Sequence, residues 1–173
     1  MENPLQNIRA PWISPDGHIL MEKLPIDSTL ENSLHPNFEQ FSDACRILQS
    51  MFLHGKSGAA IFLLGLLRHY QDDIRRSTEI VNALSGYKTK PCAQALLAEL
   101  RRVKNSNSTR KYINTLLKAL SYFPLELVED GLSNLADDKT FTPKMRARFK
   151  SILKDTHKND DDVFFGVGYD DNC

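Results

Sequence analysis

Small and apolar residues recur along the chain every 36 positions. Leu48, Leu84 and Leu120 share one register position, and Cys45, Val81, Leu117 and Leu153 a second. Ala44, Ile80, Leu116 and Ile152 form a third, and Phe41, Ser77, Ile113 and Phe149 a fourth. Within each unit the apolar positions keep helical spacing, as Phe38, Phe41, Cys45, Leu48 and Phe52 do. A period of 36 is about ten helical turns, so unrelated amphipathic helices could fall into phase. Here the predicted helix boundaries recur as well, which favours true repetition.

The pattern predicts seven helices. The first runs from about Asn37 to Leu53 and stops at Gly55; the second follows Ser57 and ends near Tyr70. The third starts at Asp72 or Asp73, whose carboxylates suit a helix N-terminus, and stops near Gly86. Thr89 and Pro91 open the fourth, which ends near Val103. Asn107 or Ser108 caps the fifth, which ends near Phe123, and Pro124 opens the sixth. The seventh begins at Thr142-Pro143 with proline at its first position, where the missing N–H costs nothing. The order is a first and a second helix, three times over, plus a last unpartnered one. Repeats of this length build all-α solenoids of antiparallel helix pairs, each unit burying its apolar face against its neighbours.

Three segments result. Residues 1–36 hold five of the eight prolines and are expected to be extended, with a small hairpin around Pro15-Asp16-Gly17 between Trp12 and Leu20. Residues 37–155 form the helical repeat domain, and residues 156–173 an acidic-aromatic tail.

The repeat resembles short HEAT-type helix pairs over roughly Asn37 to Lys154. The best-matching stretches are Ile80 to Leu84 with Leu96 to Leu100, and Leu116 to Leu120 with Leu132 to Leu135. A tetratricopeptide array is the nearest rival, but its Trp-Leu-Gly-Tyr signature is absent. The resemblance implies a curved stack with an extended face for a protein partner. Some relatives bind DNA, act as DNA glycosylases or serve as bilin-lyase-like scaffolds, and no residue set specific to those activities carries over.

Charge sharpens this picture. The 173 residues balance at 22 basic and 22 acidic side chains. Yet residues 1–36 carry a net −3 and residues 156–173 a net −4, leaving the repeat domain at +7. Its cations fall into repeat columns: Arg46, Lys118 and Lys154 in one, Arg110 and Arg146 in another, Arg75 and Lys111 in a third. Such columns predict a basic ridge along the first helices of successive pairs, with Arg101, Arg102 and Lys104 as a second cluster. A solvated helix face is the plainer reading, since cations near helix C-termini complement the dipole.

In the tail, Phe164, Phe165 and Tyr169 sit between acidic runs. They are expected either to cap the bare face of the seventh helix or to dock to a partner. The acidic flanks could also lie along the basic ridge and screen it.

No catalytic motif is present: no phosphate-binding glycine loop, His-Glu-x-x-His, Gly-x-Ser-x-Gly or Cys-x-x-Cys. The histidines are scattered, with His54 and His69 placed to serve helix ends. Asp72-Asp73 and Asp137-Asp138 suit a helix start and a loop. Cys45 and Cys92 fall in apolar patterns, and free core thiols fit a reducing compartment. The first residues show no signal-peptide pattern, and no apolar run is long enough to span a bilayer. The expectation is therefore a cytoplasmic, non-catalytic adaptor or regulatory subunit without cofactor or metal, binding another protein with an acidic surface. The alternative is a nucleic-acid-binding repeat protein using the basic ridge, with a DNA glycosylase as a remote third.

Overall fold

A computed structural model describes the backbone of residues 26–163 and the side chains of residues 27–154. The expected hairpin at Trp12–Leu20, residues 1–25 of the extended lead-in, and Phe164, Phe165 and Tyr169 lie outside the described residues. Those described contain eight α-helices and no strand. The chain divides into two compact units, residues 1–87 and 88–173.

In the first unit, α1 spans Ile26–Ser33, α2 Phe38–Leu53, α3 Gly58–His69 and α4 Ile74–Leu84. α2 packs against α1, α3 and α4, and α3 also against α4. Asn37 caps α2, its side chain accepting from the backbone N–H of Glu39 at 2.7 Å. Asp73 caps α4 by accepting from the N–H of Arg76 at 3.0 Å. Gly55 follows α2 at φ 86°, the left-handed conformation that glycine adopts without strain.

α1 is the helix the periodicity misses. It falls within the segment expected to be extended, so the count is eight, not seven. Its inward positions are Thr29 and Ser33, both buried, so it has little apolar periodicity to read. Tyr70 holds it in place, the hydroxyl donating to the Ser33 carbonyl at 3.2 Å.

In the second unit, α5 spans Lys90–Arg102, α6 Arg110–Leu120, α7 Leu125–Asp137 and α8 Pro143–Val163. α5 packs on α6 and α7, and α8 on α7 and α6. A side-chain carbon on Gly131 would lie 2.3 Å from Leu97 Cδ1, so glycine permits the close approach of α7 to α5. α6 starts one residue later than expected. Thr109, not Asn107 or Ser108, stands at its cap, and no side chain caps it. The Thr109 hydroxyl instead donates to the Lys104 carbonyl at 2.6 Å, folding the loop on itself. α8 continues past 155 into residues assigned to the tail, because no proline or glycine interrupts it before Gly166.

The repeat columns are the core. Leu48, Leu84 and Leu120 are fully buried, and so are Phe41, Ser77 and Phe149. Cys45, Val81 and Leu117 are buried with them, and Ala44, Ile80 and Leu116 likewise. Only the last members of two columns, Ile152 and Leu153, are half-buried. Burial pushes the Cys45 thiol up to about 12, with Glu79 adding to the effect, and raises the Cys92 thiol too.

Candidate functional site

One member of each of two basic columns, Arg110 and Lys118, lines a groove in the second unit. Its α6 wall presents Arg110, Asn114 and Lys118 at four-residue intervals, one helical face. Its α8 wall presents Lys144, Arg148 and Ser151. At one end Asn105, Arg110, Asn114, Thr142, Lys144 and Arg148 line a cleft of about 460 Å³. Asn114 and Arg148 continue into a second cleft of about 300 Å³, with Leu117, Lys118, Ser121 and Ile152. From Arg110 to Ser121 the groove runs roughly 17 Å at helical rise.

Among the described residues, no acidic side chain lines either cleft. Among the described residues, the ion pairs are Arg46–Asp43, Arg76–Asp73 and Arg102–Glu99, none of them in the groove. The groove arginines are held by neutral amides instead. Arg110 Nη2 donates to Asn107 Oδ1 at 2.8 Å, and Arg148 Nη2 to Asn114 Oδ1 at 2.7 Å. These bonds orient the guanidinium groups without cancelling charge.

Neither α6 nor α8 carries an acidic residue in its first turn. They open instead on Arg110-Lys111 and on Lys144 and Arg146, against the helix dipole. Like charges about 10 Å apart repel by about 0.4 kcal/mol per pair in bulk water and about 1.7 kcal/mol at the effective dielectric of a protein surface, less in salt. Cations at a helix start run against the usual placement of acidic residues in the first turn.

The other sequence candidates have different surroundings. Lys111 and Lys154 are exposed on the same helices but line neither cleft. Arg146 is half-buried, its Nε enclosed without a hydrogen-bond partner among the described residues. In the first unit, the Arg46 side chain pairs with Asp43 at 3.4 Å with both exposed, and Arg75 lies 3.7 Å over the Phe38 ring. Arg102 grips buried Glu99 through two nitrogens at 2.8 and 2.9 Å. Arg101 and Arg102 border a cleft of about 750 Å³ between α5 and α7, where Lys90, Glu126 and Asp130 mix both signs. Lys104 is exposed in the loop before α6.

Lys144 and Arg148 escape the sequence reading because the repeat before theirs offers no cation at either position. Arg148 aligns with Tyr112, and Lys144 with Ser108. The detectable signal is their four-residue spacing, the same as that of Arg110, Asn114 and Lys118.

His54 serves a helix end as expected, its Nδ1 lying 2.8 Å from the Ser50 carbonyl. Among the described residues no three His, Cys, Asp or Glu side chains gather as a metal site requires. No helix among them is long and apolar enough to cross a membrane. Compared with family models, curated proteins and solved structures, the chain shows no match.

Proposed function

We propose that this chain is a non-catalytic adaptor or regulatory subunit of the HEAT-like repeat kind, whose α6/α8 groove takes an acidic segment of a partner protein. The observation that carries the reading is the groove itself, lined by Arg110, Lys118, Lys144 and Arg148 and, among the described residues, by no carboxylate. Its polar lining is of arginine, lysine, amide and hydroxyl groups, which bind and orient but supply no nucleophile paired with a base. A repeat architecture is supported by burial of the 36-residue columns and by packing of register-equivalent helices, α2 on α4, α5 on α7 and α6 on α8.

An acidic protein segment is favoured over nucleic acid on two grounds. Among the described residues, the groove has no aromatic side chain on which a base could stack. Its four cations fall short of the roughly 6–10 phosphate contacts typical of duplex binding. The test uses a labelled oligo-glutamate peptide of about a dozen residues and a labelled duplex, each titrated by fluorescence anisotropy at about 50 mM salt. The peptide should bind, and Arg110→Glu with Arg148→Glu should weaken it at least tenfold while the helical circular dichroism persists. Absence of peptide binding, or tighter binding of the duplex, defeats the reading.

A further inference from the structure

The groove is polarised. Three of its four cations, Arg110, Lys144 and Arg148, converge on the 460 Å³ cleft at one end. The other end adds only Lys118 to Arg148 and is otherwise lined by Leu117, Ile152 and small polar groups. A uniformly acidic segment would be served by evenly spaced cations. Concentration of three at one place calls for a ligand group with more than one charge.

We infer that this cleft is a phosphate site, and that the acidic segment is recognised when it carries a phosphorylated serine or threonine. The inference rests on the reading of the groove as a site for an acidic segment and adds the modification state of the ligand. A phosphoryl group brings about −1.5 to −2 charges and three terminal acceptor oxygens, against one charge and two oxygens on a carboxylate. The cleft matches it with two guanidinium groups, one ammonium and the polar side chains of Asn105, Asn114 and Thr142. Each arginine donates a hydrogen bond to a neutral amide, Asn107 or Asn114, which orients the guanidinium and leaves its charge whole. Oriented guanidinium groups are the donors that grip phosphate oxygens two at a time. A cleft of this volume is about 10 Å across if spherical, so a phosphoryl group and its side-chain stem fit inside.

The experiment uses the full chain and two versions of one labelled acidic peptide, identical except that a central serine is free or phosphorylated. A labelled duplex of about twenty base pairs forms the third arm. The phosphopeptide should bind at least tenfold tighter than its unmodified twin, and inorganic phosphate at millimolar concentration should narrow that gap. Lys144→Gln combined with Arg148→Gln should bring the two peptides to within about twofold of each other. Lys118→Gln, at the far end, should weaken both by the same factor. Equal affinity of the wild-type chain for the two peptides overturns the phosphate site and leaves the acidic-segment reading standing. Failure of both peptides to bind overturns both. Tighter binding of the duplex than of the phosphopeptide overturns them also, and assigns the cleft to nucleic-acid phosphates.

Discussion

Arg76 and Arg148 occupy the same repeat column, two periods apart, and meet opposite fates. Arg76, on α4, is 8% exposed. Its guanidinium donates to the carbonyls of Pro36 and His35 at 2.7 and 2.9 Å and to the Tyr70 hydroxyl at 3.0 Å. Asp73 lies 3.4 Å from its Nε, and it sits over the rings of Phe41 and Tyr70 at 4.7 Å. Arg148, on α8, is half-buried, holds one neutral amide and lines a cleft that has no carboxylate among the described residues. The difference lies in what the flanking sequence supplies. Before α4 stands Asp73, which caps the helix and neutralises the arginine; the equivalent positions of α6 and α8 are Thr109 and Met145. One arginine is consumed by the fold, tying the α1–α2 loop to α4. The other keeps its charge at the wall of a cleft.

The same substitution at both positions breaks or sharpens this contrast. Arg76→Met strips three part-buried acceptors of their donor and leaves Asp73 without its ion-pair partner. It should cost about 3 kcal/mol. Arg148→Met should cost less than about 1 kcal/mol. Urea denaturation followed by circular dichroism measures both. Equal losses would mean that Arg148 is structural and the groove ordinary surface.

The intervening member of that column, Tyr112, shows a third outcome. It is fully buried, and its hydroxyl donates to Glu99 Oε2 at 2.8 Å while Arg102 grips the same carboxylate. Tyr112→Phe removes a hydrogen bond to a charged group and should cost about 2 kcal/mol. A loss under about 0.5 kcal/mol would show that Arg102 alone satisfies the carboxylate.

These fates explain how much the sequence reveals. Apolar columns translate directly into core because burial is set by helical register, and register is visible in spacing. Polar columns do not translate. Arg46, Arg75 and Arg146 share columns with groove or surface cations, yet the first pairs with Asp43, the second stacks on Phe38 and the third turns half inward. Neutralisation depends on neighbours such as Asp73 that no column contains. The α6 wall could be read from Arg110 and Lys118, whereas the α8 wall needed the pairing of two helices far apart in sequence. α1 stayed hidden because its buried positions are threonine and serine.

The core columns also differ between the units in one titratable member. Cys45 in the first unit occupies the position of Leu117 in the second. Burial raises the Cys45 thiol from 9.0 to about 12, so the fold holds it neutral. The sign follows from linkage. The unfolded chain ionises first, so stability is whole below pH 9 and declines as pH rises towards 12. At pH 10 the loss should be about 1 kcal/mol. Cys45→Ala should flatten that alkaline decline relative to the parent chain. If urea midpoints at pH 8 and pH 10 differ equally in both, the thiol is not the titrating group.

The smallest effect has the most diagnostic sign. Lys144 is exposed, makes no ion pair among the described residues and lies in the first turn of α8, where a cation opposes the helix dipole. It also shares its cleft with Arg110 and Arg148. Lys144→Gln should therefore stabilise the free protein by about 0.4 kcal/mol at low ionic strength. The gain should fade as salt shortens the screening length to about 3 Å near 1 M. Most surface substitutions move stability little and in no set direction, so a gain that vanishes with salt reports repulsion stored in the cleft. Thermal unfolding of the two proteins across a salt series measures it. A loss of stability at low salt would show that the cleft compensates its own charge, and the contrast between Arg76 and Arg148 would then be one of depth alone.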